Sequence, residues 1–231
     1  MTYVGAPDYR HVSYGEHCVR EIMPFPSGTT VLFENFNNPQ ITWNVETSGG
    51  GTLSISTYQA FMGQSSLKLA CGSASTYYTV AYKDIGLTRT KRVGFECVYQ
   101  MPLTKGSYIK FHIGWNDGTT WYKGWIRYNI VNQKWQVMTT GDTWQDITDG
   151  SQTLRLGPGH WHKFKMIVDY AEQKHVVAWS DDKELNTAGV VVDTDVSSVY
   201  NTLGVGVEVA ATDSTMPAFY VDQILITEEK V

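Results

Sequence analysis

Tyr108-Ile109-Lys110-Phe111-His112-Ile113-Gly114-Trp115-Asn116-Asp117-Gly118-Thr119-Thr120-Trp121-Tyr122-Lys123-Gly124-Trp125-Ile126-Arg127-Tyr128-Asn129-Ile130 reads as a β-hairpin. Asn116-Asp117-Gly118 places a glycine where the reversal needs a positive φ, and glycine adopts one without a Cβ clash. Residues on either side alternate, as a pleated strand demands. Ile109, Phe111, Ile113 and Trp115 form the apolar set of the first arm, with Tyr108, Lys110 and His112 opposite. On the second arm Tyr122, Gly124, Ile126, Tyr128 and Ile130 face one way, while Trp121, Lys123, Trp125, Arg127 and Asn129 face the other.

Working outward, short β-rich runs separated by turn residues continue in both directions, the spacing of an all-β sandwich. They are Thr30 to Phe33, Thr52 to Ser56, Ser66 to Cys71, Tyr77 to Asp84 and Arg92 to Gln100 before the hairpin. After it come Lys134 to Thr139, Trp161 to Tyr170, His175 to Ser180, Leu203 to Ala210 and Ala218 to Thr227. No stretch of ten or more residues shows a 3.6-residue apolar stripe, and helix is expected only as a single turn around Asp195 to Tyr200. Residues 1–28 keep no period and close in Met23-Pro24-Phe25-Pro26-Ser27-Gly28, which suits neither helix nor central strand. The expected division is an irregular N-terminal arm over 1–28, docked on the domain or on a neighbouring subunit, followed by one sandwich over 29–231.

Composition narrows the classes of function. Eight Trp, 14 Tyr and 8 Phe in 231 residues, against 18% charged residues, favour half-buried sheet surfaces and aromatic contact patches. A net charge of -5 supplies no basic field for nucleic acid or anionic membrane. No apolar run is long enough for a membrane span, and the opening residues lack a basic segment followed by an apolar one, so export by a signal of its own is not expected. Cys18, Cys71 and Cys97 show no zinc spacing and are expected to be buried thiols, with a Cys71–Cys97 bridge as the alternative.

Gly159-His160-Trp161-His162-Lys163-Phe164-Lys165-Met166-Ile167-Val168-Asp169-Tyr170, followed by His175-Val176-Val177-Ala178-Trp179-Ser180-Asp181-Asp182-Lys183-Glu184-Leu185, resembles a hairpin of concanavalin-like and laminin-G-like jelly rolls. Asp182 stands where that pattern usually has glycine. Val31-Leu32-Phe33-Glu34-Asn35-Phe36, Gly63-Gln64-Ser65-Ser66-Leu67-Lys68-Leu69 and Phe219-Tyr220-Val221-Asp222-Gln223-Ile224-Leu225-Ile226-Thr227 are similar to jelly-roll carbohydrate-binding modules. The resemblance covers about 29–227 and implies an antiparallel jelly-roll β-sandwich. It also implies that Glu34 and Asp222, on terminal strands lying side by side, are candidate ligands of a structural calcium ion, although two carboxylates make an incomplete oxygen shell.

A sheet face that mixes Trp121 and Trp125 with Lys123, Arg127 and His112, joined by Lys163 and Lys165, can stack sugar rings and donate to hydroxyls or acidic groups. The same residues can instead anchor a protein partner, or simply cover the sheet with cationic stems packed along the rings. Catalysis is not expected. Paired carboxylates for glycoside cleavage are missing as a run on one strand, Glu96 stands alone, and Asp142, Asp146 and Asp149 fall among turn residues. No nucleophile elbow, phosphate loop or dinucleotide fingerprint occurs, and His160 and His162 lack an evident third metal ligand. The reading at this level is a non-catalytic structural or interaction protein of a larger assembly. Most concretely it is a phage virion surface component, a capsid decoration or tail-associated protein, with protein partners, homo-oligomerisation and glycans as a further ligand. The alternative is an extracellular polysaccharide-binding module.

Overall fold

The computed structural model describes residues 29–72, 77–86, 91–101, 108–147, 153–197, 201–211 and 218–229. The arm over 1–28, Cys18 and Asp149 therefore lie outside the described residues. Among the described residues there are sixteen strands and no helix, hence none long and apolar enough to cross a membrane. In chain order they are β1 (Thr29–Glu34), β2 (Asn44–Thr47), β3 (Thr52–Ser56), β4 (Ser66–Ala70), β5 (Tyr78–Ile85), β6 (Arg92–Gln100), β7 (Tyr108–Asn116) and β8 (Thr120–Asn129). They continue with β9 (Lys134–Thr139), β10 (Thr143–Asp146), β11 (Trp161–Asp169), β12 (Lys174–Ser180), β13 (Lys183–Leu185), β14 (Asp193–Val196), β15 (Thr202–Ala210) and β16 (Ala218–Glu229).

Two antiparallel sheets of eight strands stack face to face in the expected jelly-roll sandwich. Sheet A runs β13-β12-β11-β6-β16-β4-β3, with β1 added against β16. Sheet B runs β10-β9-β8-β7-β15-β5-β2, with β14 added against β8. The hairpin forms as its sequence dictates. Gly118 has φ 95°, and Asp117 Oδ1 accepts the amides of Thr119 and Thr120 at 2.8 Å each, closing the turn from within.

Alternation supplies the core. Ile109, Phe111 and Ile113 from β7 and Ile126 and Tyr128 from β8 point inward to meet Phe95, Tyr99, Phe164 and Phe219 of sheet A. Phe111 stacks on Phe164 with centroids 4.1 Å apart, and Trp135 stacks on the same ring at 5.2 Å. Such offset pairs add about 0.5–1.5 kcal/mol each beyond the area they bury. Cys71 and Cys97 are free and buried, as the thiol reading expected. The helical turn around Asp195 to Tyr200 is corrected: Asp193–Val196 is a strand paired with β8, and 198–200 lie outside the described residues.

Candidate functional site: a cleft on the outer face of sheet B

The inward face of the hairpin fills the core, so its other face is turned outward, and neighbouring strands extend that face into a platform. Register aligns it in rows. Arg127 lies opposite Lys110, Lys110 opposite Glu208, Glu208 opposite Val80 and Val80 opposite Glu46. The next row is Trp125, His112, Gly206, Tyr82 and Asn44, and the one after it Lys123, Gly114, Gly204 and Asp84. Three glycines thus sit in the middle of the platform, and two of them are overlain by rings. A Cβ on Gly206 would come within 2.4 Å of His112 Nε2, and one on Gly114 within 2.3 Å of Trp121 Nε1.

Above this floor opens a cleft of about 430 Å³, walled by Tyr108, Lys110, Trp121, Trp125, Tyr82 and Glu208, with Tyr78, Glu46 and Asp84 at its β5–β2 side. Trp121 and Trp125 meet edge to face, centroids 5.7 Å apart, and His112 meets Trp125 edge-on at 5.6 Å. Lys110 forms an ion pair with Glu208 while its Nζ stands 4.5 Å from the Trp125 centroid. Tyr108 donates its hydroxyl to Glu208 Oε1, and Tyr78 donates to Glu46 Oε1 at 2.7 Å. Burial, and then the Lys110 charge, push the His112 imidazole well below its ordinary pKa, so it is neutral at pH 7, and its Nε2 has no hydrogen-bond partner among the described residues. Burial and the Glu208 carboxylate push the Tyr108 phenol up.

Beneath the two tryptophans lies Lys123. Its Nζ meets Asp142 at 2.8 Å and Asp193 at 3.0 Å, and pairs with Asp195 as well. Burial alone would lower its pKa, but the three carboxylates outweigh burial and hold the ammonium above its usual range. These carboxylates lie close enough together to hold a metal ion, and the lysine occupies the place between them. Arg127 donates from Nε to Gln136 Oε1 at 2.8 Å and lies 4.0 Å from the Trp144 centroid. Burial lowers its pKa first, with Tyr108 and Glu208 opposing.

The structure brings Trp121, Lys123, Trp125, Arg127 and His112 onto one face, as expected. Lys163 and Lys165 do not join them. They are on β11 of sheet A, across the sandwich from the cleft, because β11 turns Phe164, Met166 and Val168 into the core. Lys165 is buried against Glu96, Nζ to Oε2 3.0 Å, and burial pulls its pKa down. Both ring nitrogens of His162 are engaged within the protein: Nδ1 meets Asp181 Oδ2 at 2.9 Å and Nε2 meets the Arg155 carbonyl at 3.1 Å. Asp142 and Asp146 are exposed to solvent, as expected, and their carboxylates also pair with Lys123 and Lys134.

Glu34 and Asp222 lie on the paired strands β1 and β16, with Glu34 opposite Ile224. Asp222 Oδ2 accepts the amides of Phe61 and Met62, whereas Oδ1 is buried without a hydrogen-bond partner among the described residues, and burial lifts the carboxyl to about 6. A buried oxygen left over in this way suits a hard cation. Calcium held there would tie the terminal strands of sheet A and take no part in the cleft on sheet B.

Glu46, Tyr78, Tyr82, Asp84 and Glu208 were not singled out from sequence. They come from three strands scattered along the chain, and a search for carboxylates on a single strand passes over them. Gly204, Gly206 and Glu208, alternating with Val205, Val207 and Val209, carried the one available signal.

No protein-family model matches the chain, and no curated protein matches it. Solved structures do. An endo-β-1,4-glucuronan lyase from the fungus Trichoderma reesei superposes with a TM-score of 0.60 at 14% identity, covering 87% of this chain and 96% of that one. The cellulose-induced protein Cip1 gives 0.57 at 16%, covering 87% and 98%. A carbohydrate esterase from the Shiga toxin-encoding bacteriophage phi24B gives 0.57 at 15%, covering 88% and 100%. The chain thus shares the jelly-roll β-sandwich fold of these proteins. These neighbours also overturn the expectation of a non-catalytic protein, because a lyase and an esterase stand among the folds it resembles.

Proposed function

We propose that the chain is a carbohydrate-active jelly roll that lays a sugar chain along the sheet-B cleft. The observation that carries this reading is the pairing of Trp121 and Trp125, 5.7 Å apart, with a glycine floor and a wall of tyrosine, lysine and carboxylate groups. Aromatic faces stack on the C–H faces of sugar rings while the polar wall exchanges hydrogen bonds with hydroxyls. Cleavage of the bound chain is part of the proposal. His112, which lines the cleft and whose Nε2 has no hydrogen-bond partner among the described residues, is the group to test for a part in that cleavage. The experiment is calorimetric titration with a panel of soluble oligosaccharides, followed by product analysis after long incubation. Absence of binding to every member sinks the proposal. Binding with products that vanish in His112→Ala would assign the activity.

A second reading places the same cleft on a phage particle, as a capsid decoration or tail-associated component, with an extracellular module as its alternative. Likeness to a phage-encoded carbohydrate esterase is what favours it. Mass spectrometry of purified particles, with light scattering for self-association, tests it. A monomer missing from particles would remove this reading and leave the glycan cleft intact.

A further inference from the structure

Resting on that reading of the sheet-B cleft, we propose that it selects a sugar chain without acidic groups. The ammonium lining the cleft, Lys110, is already paired with Glu208. Lys123, below the tryptophans, is only 4% exposed and neutralised three times over by Asp142, Asp193 and Asp195. Arg127 is drawn toward β9 and β10 by Gln136, which in turn donates to Asp146 Oδ1 at 2.8 Å, and its guanidinium lies against the Trp144 ring. His112 carries no charge at neutral pH.

Negative groups remain. Glu46 and Asp84 face the cleft from β2 and β5, both exposed, and neither forms an ion pair among the described residues. Glu46 receives a hydrogen bond from the Tyr78 hydroxyl, which satisfies one oxygen and leaves its charge. A uronate chain entering here would meet two carboxylates and, among the described residues, no cation free to receive it. A neutral chain meets acceptors suited to pairs of adjacent hydroxyls, and an amino-bearing chain gains attraction. Fold likeness to a glucuronan lyase does not carry that enzyme's substrate to this cleft; the side chains decide it.

The test titrates the full chain with matched-length oligosaccharides of three kinds, neutral (glucan, xylan, mannan and galactan), uronate and glucosamine-type, at about 20 and 300 mM salt, chosen to bracket the screening range. At low salt the uronate chain is expected to bind at least about tenfold more weakly than the best neutral chain, with the gap narrowing as salt rises. The Glu46→Gln/Asp84→Asn double variant removes both charges and is expected to raise the ratio of uronate to neutral affinity by about three- to tenfold at low salt, and an unchanged ratio would overturn the selectivity. Uronate binding that is tightest at low salt and weakened by salt would overturn this selectivity while leaving the glycan cleft standing. Failure of all three kinds to bind would remove the cleft reading itself, and the selectivity with it.

Discussion

Lys123 Nζ lies 3.0 Å from Asp193 Oδ2, with the two side chains 4% and 2% exposed. They face each other across the β8–β14 pair, so a single buried ion pair holds the edge strand to the strand that carries both cleft tryptophans. Removing one partner of such a pair strands the other charge in a dry site, which costs about 3–5 kcal/mol. Lys123→Met is therefore expected to lower stability by that amount in urea denaturation. Asp195→Asn, at a carboxylate 54% exposed, is expected to cost less than about 1 kcal/mol. Equal losses in the two variants would show that burial of the pair is not what matters.

How much of this could be read from sequence depends on burial. β3, β6 and β9 fall at their expected bounds, and the hairpin strands within a residue or so, because each is a β-rich, largely buried or half-buried run closed by turn residues. β2, β10 and β14 were missed. Their residues are almost all exposed, so no apolar period marks them, and they exist because a neighbour's edge offers hydrogen bonds. The site divides in the same way. Trp121, Lys123, Trp125 and Arg127 share one strand, and alternation alone groups them. Glu46, Asp84 and Glu208 meet only through strand order, which joins β2, β5 and β15 across long separations. Lys163 and Lys165 show the converse: alternation gives a face but not which sheet owns it.

Acid sensitivity should come in part from His175. Its ring is fully buried, neither nitrogen has a hydrogen-bond partner among the described residues, and burial lowers its pKa from 6.5 to about 4. The folded value lies below the unfolded one, so the unfolded state takes up the proton first. Stability is full above about pH 6.5 and is lost as pH falls toward 4, by up to about 3 kcal/mol at 1.36 kcal/mol per unit. His112 adds a loss in the same direction, so the readout is a difference between proteins. His175→Leu is expected to gain on the wild type steadily from pH 7 to pH 4 in thermal melts. A constant gap across that range would exclude the titration of His175 as the cause.

Trp125 is the ring at which stacking, His112 and the Lys110 ammonium converge. Truncating it to alanine removes a stacking face and the cation–π contact together, an expected loss of about 1–2 kcal/mol in glycan affinity, roughly tenfold. Trp125 belongs to the outer face, so the core stacking of Trp135 on Phe164 should survive. Near-ultraviolet circular dichroism beside the titration separates the cases. Unchanged affinity, with the spectrum retained, would remove Trp125 from the site.

Gly204 and Gly206 share the cleft face of β15, yet they should respond oppositely to a methyl group. At Gly204 a Cβ meets Asp84 Oδ1 at 3.5 Å, an ordinary contact. At Gly206 it meets His112 Nε2 at 2.4 Å and the Ala81 carbonyl oxygen at 2.8 Å. The imidazole is wedged beside Trp125, and the carbonyl belongs to the neighbouring strand, so neither yields without moving the cleft floor. Overpacking of this kind costs about 1–3 kcal/mol. Gly206→Ala is thus expected to lower the urea midpoint and weaken glycan binding together, because it lifts the ring that lines the floor. Gly204→Ala should leave stability within about 0.5 kcal/mol, the range of a substitution that makes no bad contact. Were Gly206→Ala as stable as the wild type, His112 would have to move freely, and its place on the floor of the site could not be fixed by the glycine beneath it.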